Sequence, residues 1–200
     1  MRHADTPPAS RYERVALFGG VAAGAIQLLF SGLFFGYILP ALPPIDAPAA
    51  QIAAFYAVQS QNSIYHLTSF LLEAQMLPLA LFFGGLYAVL RRHEGAGGAL
   101  SAAVFAAGMA ITVIIPVVDM IEDHLLRGLA AAGGDPLTVR VFDGMVPQAQ
   151  ALNGFPQALV LAGTAALIFG RGFAPRWLAW AGLALAALSL LGTGTILTAA

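Results

Sequence analysis

Five stretches of the chain, 15–42, 63–90, 99–126, 146–169 and 177–197, are long and apolar enough to be membrane-crossing helices. A helix rises about 1.5 Å per residue, so crossing a hydrocarbon core about 30 Å thick takes about 20 mostly apolar residues. Composition agrees, with 59% of the 200 residues apolar and 10% charged. Soluble domains average roughly 45–50% and 25%. The expected fold is therefore all-α, a polytopic bundle of five transmembrane helices. It forms one domain over 15–200, behind a tail at 1–14 whose Pro7 and Pro8 read as disordered. The first stretch exceeds the 7–15 residue core of a signal peptide and lacks a convincing cleavage site, so it reads as a retained helix.

Orientation follows from charge. The 9 basic residues are all arginine. Arg2, Arg11, Arg14, Arg91, Arg92, Arg171 and Arg176 flank one side of the five spans, and only Arg127 and Arg140 the other. The positive-inside rule then predicts a multi-pass protein of the cytoplasmic membrane, N-terminus in and C-terminus out. The tail would be cytoplasmic. Scattered arginines and a net charge of −1 offer no patch for nucleic acid or phosphate ligands. With Cys 0, disulfides, thiolate metal sites and c-type haem attachment fall away. No nucleophile elbow or phosphate loop occurs, and neither cofactor nor metal is expected.

The connections are unequal. Short turns at 91–98 and 170–175 predict two antiparallel hairpins, helices 2 with 3 and 4 with 5. On the other side, 43–61 carries Asp46, Pro48 and an alanine run with Phe55 and Tyr56, which suits a short interfacial helix. Gly133-Gly134 breaks the chain, and Asp135-Pro136 reads as an N-cap followed by proline at the first helical position. A second short interfacial helix is expected over 136–143.

Polar residues gather near the outer ends of helices 2, 3 and 4. Gln59, Asn62, His66, Ser69 and Glu73 recur at helical spacing and share a face if the helix is continuous there. Asp119, Glu122 and Asp123 fall within about 100° of arc, with His124 pointing away. Gln148, Gln150, Asn153 and Gln157 follow on helix 4. Counting outward from the two cytoplasmic turns puts Glu73 level with Asp119, His66 level with Asp123, and Gln150 and Asn153 at the same height. That layer lies roughly 30 Å from the turns, shallow below the outer leaflet.

Glu73 lies within an apolar span, where an ionisable group is costly and marks a functional site by default. Its neutral form is the cheaper one in hydrocarbon, and a neutral carboxyl can donate a proton. The catalytic candidates are Glu73, Asp119, His66, Glu122 and Asp123. Asn62, Ser69, Phe70, Gln150, Asn153 and Gln157 are the substrate-binding candidates. Plainer roles compete: Asp123 and Arg127 form an i,i+4 pair, and the carboxamides suit interhelical hydrogen bonding. Pro78, Pro116, Pro147 and Pro156 can kink their helices and open space beside the acids. Phenylalanines such as Phe30, Phe34, Phe35, Phe105, Phe142 and Phe155 would make an apolar lining for a lipophilic ligand.

The closing hairpin, Phe173-Ala-Pro-Arg-Trp-Leu-Ala-Trp-Ala-Gly-Leu running through Leu191-Gly192, resembles the tail of small multi-pass bacterial membrane proteins of families without assigned function. The resemblance implies a bacterial cytoplasmic membrane. In layout alone, five helices around buried acids are similar to membrane-embedded isoprenoid cyclases and sterol isomerases, with no shared residue motif. The favoured function is an enzyme acting on a lipophilic, isoprenoid-like substrate by acid–base or carbocation chemistry. The alternatives are a metal or haem protein using His66, Glu73, Asp119, Asp123 or a His66–His124 pair, and a transport or accessory protein. No charge lies at 77–87 or 105–117, so a proton path across the membrane lacks stepping stones. Expected partners are membrane lipids and a lipophilic small molecule, with no nucleic acid. Self-association stays open.

Overall fold

The computed structural model describes residues 11–44 and 46–198, and among these there is no strand. The reading of residues 1–10 as a disordered tail lies outside the described residues. The first helix, α1, already begins at Arg11 and runs as Arg11–Leu33, widening into a π-helical turn at Phe34–Ile38 and closing with one 3₁₀ turn at Leu39–Ala41. Then come α2 (Ala49–Gln59), α3 (Ser63–Ala74), α4 (Met76–Glu94) and α5 (Ala99–Met120). A π-helical segment, Ile121–Arg127, continues α5 into the single turn α6 (Gly128–Ala131), followed by α7 (Pro136–Leu152), α8 (Gly154–Arg171) and α9 (Arg176–Thr198).

Stacked end to end, these form five spans: Glu13–Ala41, Ser63–Glu94, Ala99–Ala131, Pro136–Arg171 and Arg176–Ile196. The protein is an all-α, multi-pass membrane bundle. Its surface agrees with that solvent, since Phe18 (74% exposed), Leu28 (76%) and Leu188 (63%) stand outward from α1 and α9. Apolar faces that continuous are stable against hydrocarbon and not against water.

Proline chemistry sets the breaks inside two spans. Pro78 has no N–H to offer the Ala74 carbonyl, and α3 gives way to α4 at Gln75. Pro156 likewise leaves Leu152 unserved, and α7 gives way to α8 at Asn153. The expected interfacial helix over 136–143 is thus the first part of a longer α7. It starts as the sequence suggests: the Asp135 carboxylate accepts the Thr138 backbone N–H at 3.0 Å, and Pro136 follows the cap. That bond holds the Asp135 carboxyl below its ordinary value. Gly133, at φ 73°, makes the left-handed turn before it.

Helix packing relies on small residues, as expected where lipid and side chain are equally apolar. Gly85 on α4 faces the Ala16 side chain so closely that no Cβ fits, and Gly154 on α8 is similarly pressed against Thr193 of α9. The Thr193 hydroxyl also reaches the Ala151 carbonyl at 2.9 Å, pinning the α7/α8 break to α9.

At the arginine-rich end, Arg92 pairs with Glu13, Arg171 donates to the Glu94 carbonyl at 2.8 Å, and His93 stacks on Phe173 at 4.5 Å. The Glu94 carboxylate accepts the backbone N–H groups of Leu100 (2.9 Å) and Ser101 (2.7 Å), capping α5. The start of α1 and both short turns therefore share one end of the bundle. At the other end α2 lies across α7 and the π segment of α5. Ile52 (2% exposed), Leu126 (0%) and Val139 (0%) form the core beneath it. The expected short helix within 43–61 is present as this cap.

The charge asymmetry has a direct check. Reporter fusions after Gly95 and Phe173 are expected to read cytoplasmic and one after Asp135 external. A cytoplasmic signal at Asp135 contradicts the orientation.

Candidate functional site

A cavity of about 450 Å³ opens near the acid-bearing end, between α1 on one wall and the α7/α8 junction on the other. Its floor is α5, contributing Ile114, Ile115, Val118, Asp119 and Glu122. From α1 come Gln27, Phe30, Ser31, Phe34 and Phe35, and from α3 only Leu72. Gln150, Asn153 and Gln157 close the opposite wall. Since α1 packs chiefly on α4 and α3, its cavity face stands away from α7 and α8. The space between them is a lateral cleft between α1 and the α7/α8 junction.

Local backbone chemistry aims these groups inward. The Pro156 break interrupts the span at Asn153, so Asn153 sits at the junction of α7 and α8 and Gln157 lies one turn later on α8. Proline at 116 leaves the Thr112 carbonyl without its helical donor, and five residues after it the helix widens into the π segment bearing Glu122, Asp123 and Arg127. A second π turn, Phe34–Ile38, lies on the facing wall, with Phe34 and Phe35 in the lining. π turns inside α-helices concentrate at functional sites.

Two oxygens on lining residues are themselves enclosed and have no hydrogen-bond partner among the described residues. Asp119 is 6% exposed with Oδ2 unbonded, and Asn153 is 8% exposed with Oδ1 unbonded. Buried polar atoms of that kind are rare and call for an explanation. Beside them, outside the lining, sits a buried ionic network. Arg127 (3% exposed) pairs with Asp123 at 2.7 Å, donates to Ser69 Oγ at 2.9 Å, and lies 5.5 Å from the centre of the Tyr65 ring.

The expected site residues divide accordingly. Asp119, Glu122, Gln150, Asn153 and Gln157 line the cavity together. Asp123 and Ser69 are held by Arg127, the plainer role weighed for Asp123. Asn62 caps α3, accepting Ile64 N–H at 3.0 Å and donating to Gln59 at 2.9 Å. The chain turns at 60–62, so the five-residue polar stripe is split between α2 and α3. His66, exposed, meets the Ser60 carbonyl at 2.9 Å, and Phe70 is 62% exposed. Glu73 is exposed and off the lining, though near enough for its charge to act on Asp119. Gln27 and Ser31 belong to the site without having been singled out, four residues apart with their side chains 3.4 Å from each other. Two polar residues one turn apart in an otherwise apolar span were the signal. Among the described residues, no three His, Asp or Glu side chains are grouped to hold a metal ion.

The cap closes over this end through Tyr56, whose hydroxyl donates to Asp143 at 2.7 Å. Burial first, then that hydrogen bond, raises the phenol above its ordinary value of 10.0. A raised folded-state value means the folded protein keeps the proton longer than the unfolded chain does. The stability it contributes is full below pH 10.0 and is lost as pH climbs beyond it. Alkaline thermal-denaturation curves are expected to fall less steeply for Tyr56→Phe than for wild type. Equal slopes contradict the linkage.

No protein-family model, curated protein or solved structure matches the chain.

Proposed function

We propose that this is a membrane enzyme of the cytoplasmic membrane, oriented N-in and C-out. Its substrate is lipophilic and isoprenoid-like, and its chemistry is acid–base, of isomerase or cyclase type. The carrying observation is the pair Asp119 and Glu122 on the floor of a cavity whose facing wall is Phe30, Phe34 and Phe35. A substrate dissolved in the leaflet enters by the cleft between α1 and α8 without crossing water.

Asp119, the most buried acid of the cavity, is the proton donor. Its proton goes to one carbon of a double bond, the π pair forms the new C–H bond, and the neighbouring carbon becomes cationic. Glu122, ionised, takes a proton from an adjacent carbon, whose C–H pair closes a new double bond. Atoms and charge balance, and proton exchange with water at the cavity mouth between turnovers returns Asp119 to its acid form and Glu122 to its carboxylate. Aromatic faces and carboxylates both favour the intermediate cation. The carboxamides of Gln150, Asn153 and Gln157 orient the polar end of the substrate.

The chemistry has a signature. Membranes containing the protein, incubated with lipid extract in D₂O, are expected to place one deuterium in a C–H bond of a lipophilic compound per turnover. Tandem mass spectrometry reads it. No incorporation above protein-free membranes sinks the enzyme reading, and a ligand retained in the protein without exchange moves the function to a binding or accessory role.

A further inference from the structure

The polar lining of the cavity is mostly uncharged, and it stands on two walls. Gln27 and Ser31 lie on α1, and Gln150 and Gln157 on the α7/α8 side. Gln27 sits midway along the first span, Glu13–Ala41, at a depth where the surroundings are hydrocarbon. It is exposed, and among the described residues its side chain reaches only the Ser31 hydroxyl, at 3.4 Å. A carboxamide carries two N–H donors and a carbonyl acceptor, and leaving them unanswered inside a bilayer is costly. Across the cleft Gln150 is exposed and Gln157 half-buried, neither side chain hydrogen-bonded to another described residue. Unlike the enclosed Asp119 Oδ2 and Asn153 Oδ1, these groups can be reached from the cleft.

We infer that the cavity takes a lipophilic free alcohol, its hydroxyl held between the Gln27–Ser31 pair and the carboxamides of Gln150 and Gln157. This rests on the lipophilic-substrate reading above and names the head group that reading leaves open. A hydroxyl donates one hydrogen bond and accepts others, so it answers carboxamide oxygens and carboxamide N–H groups together. A ketone or ether only accepts. A phosphate or carboxylate head would meet Asp119 and Glu122 with no arginine, lysine or histidine among the described lining residues. Arg127 is engaged with Asp123 and Ser69 outside that lining. A bare hydrocarbon would leave the carboxamides of both walls without partners, and a site made to hydrogen-bond a hydroxyl rejects the analogue lacking it for that reason. An uncharged head also leaves Asp119 as the neutral acid that the proposed chemistry needs.

The test uses the whole protein in phosphatidylcholine nanodiscs with radiolabelled farnesol, farnesyl methyl ether, farnesene and farnesyl phosphate, which carry closely similar hydrocarbon and differ at the head. Binding is taken relative to the probe dissolved in the lipid, with empty discs subtracted. Farnesol is expected to lead farnesene by about ten-fold, the scale of one or two net hydrogen bonds. The ether should fall between them, and the phosphate last. Gln27→Leu and, independently, Gln157→Leu should each shrink the farnesol lead to about three-fold or less while leaving farnesene binding in place. The second variant decides if the first does not fold. The ether or the phosphate binding as tightly as farnesol overturns the free-alcohol assignment, as does equal binding of farnesol and farnesene or a lead unchanged in both variants. Each of those results leaves the lipophilic reading standing. No binding of any probe above empty discs overturns both.

Discussion

Arg127→Met is expected to lower the stability of the bundle by about 3–5 kcal/mol, the usual penalty for removing one member of a buried ion pair. The guanidinium is 4% exposed and its partner Asp123 19%, so solvent does little to screen what remains. Removing the cation strands Asp123 beside Asp119 and Glu122, three acids within one and a half turns with no counter-charge, and frees the Ser69 hydroxyl that Arg127 holds. Asp123→Leu alone should also be costly, because it strands the arginine. The double change Arg127→Met with Asp123→Leu should recover much of the loss, since a buried pair replaced by apolar groups is often close to neutral. Thermal unfolding in detergent or nanodiscs gives all four corners of the cycle. Additive losses, with no recovery in the double variant, would show that the two residues act separately.

Asp119→Asn should have the larger effect on function. Removing a general acid costs typically about 10²–10⁴-fold in rate, and the amide keeps the shape of the acid without its proton. Stability should stay near wild type, because the change removes a buried ionisable group with an unbonded oxygen and leaves the Arg127 network in place. Glu73→Gln serves as the contrast. Exposed and off the lining, Glu73 can act only by charge at a distance, and its loss should alter deuterium incorporation no more than a few-fold. The opposite ranking, Glu73→Gln abolishing exchange and Asp119→Asn sparing it, would move the donor to the rim.

That pair of acids also shows what the sequence made legible. Residue counting from the two turns gave the height of Glu73, Asp119 and Asn153 along the bundle, because rise per residue is nearly constant and the turns are short. Rotation about each helix axis was not available in the same way. Glu73 lies about 40° around α3 from the buried Ser69, and that small step carries it to the exposed rim. Continuity failed too. Asn62 is a better N-cap than a helix-interior residue, so α3 starts afresh at Ser63 and the stripe with Gln59 is broken. The arginine asymmetry, the Asp135-Pro136 start and the interfacial α2 were readable because each depends on local chemistry. Of α1, the lining phenylalanines Phe30, Phe34 and Phe35 were readable and the part played by Gln27 and Ser31 was not, because the place of α1 follows from close contacts with α4 at Gly19, Gly20 and Gly85. Those contacts depend on two helices at once. Gln27 and Ser31 were visible, but their neighbours across the cleft were not.

Native mass spectrometry of the protein released from lipid nanodiscs formed directly from its membranes tests the central claim most directly. The account predicts a lipophilic small molecule bound to wild type and to Glu73→Gln, and markedly depleted in Gln157→Trp, whose larger side chain intrudes into the 450 Å³ cavity from its wall. No bound molecule in wild type, or the same molecule bound equally in the plugged variant, would contradict it.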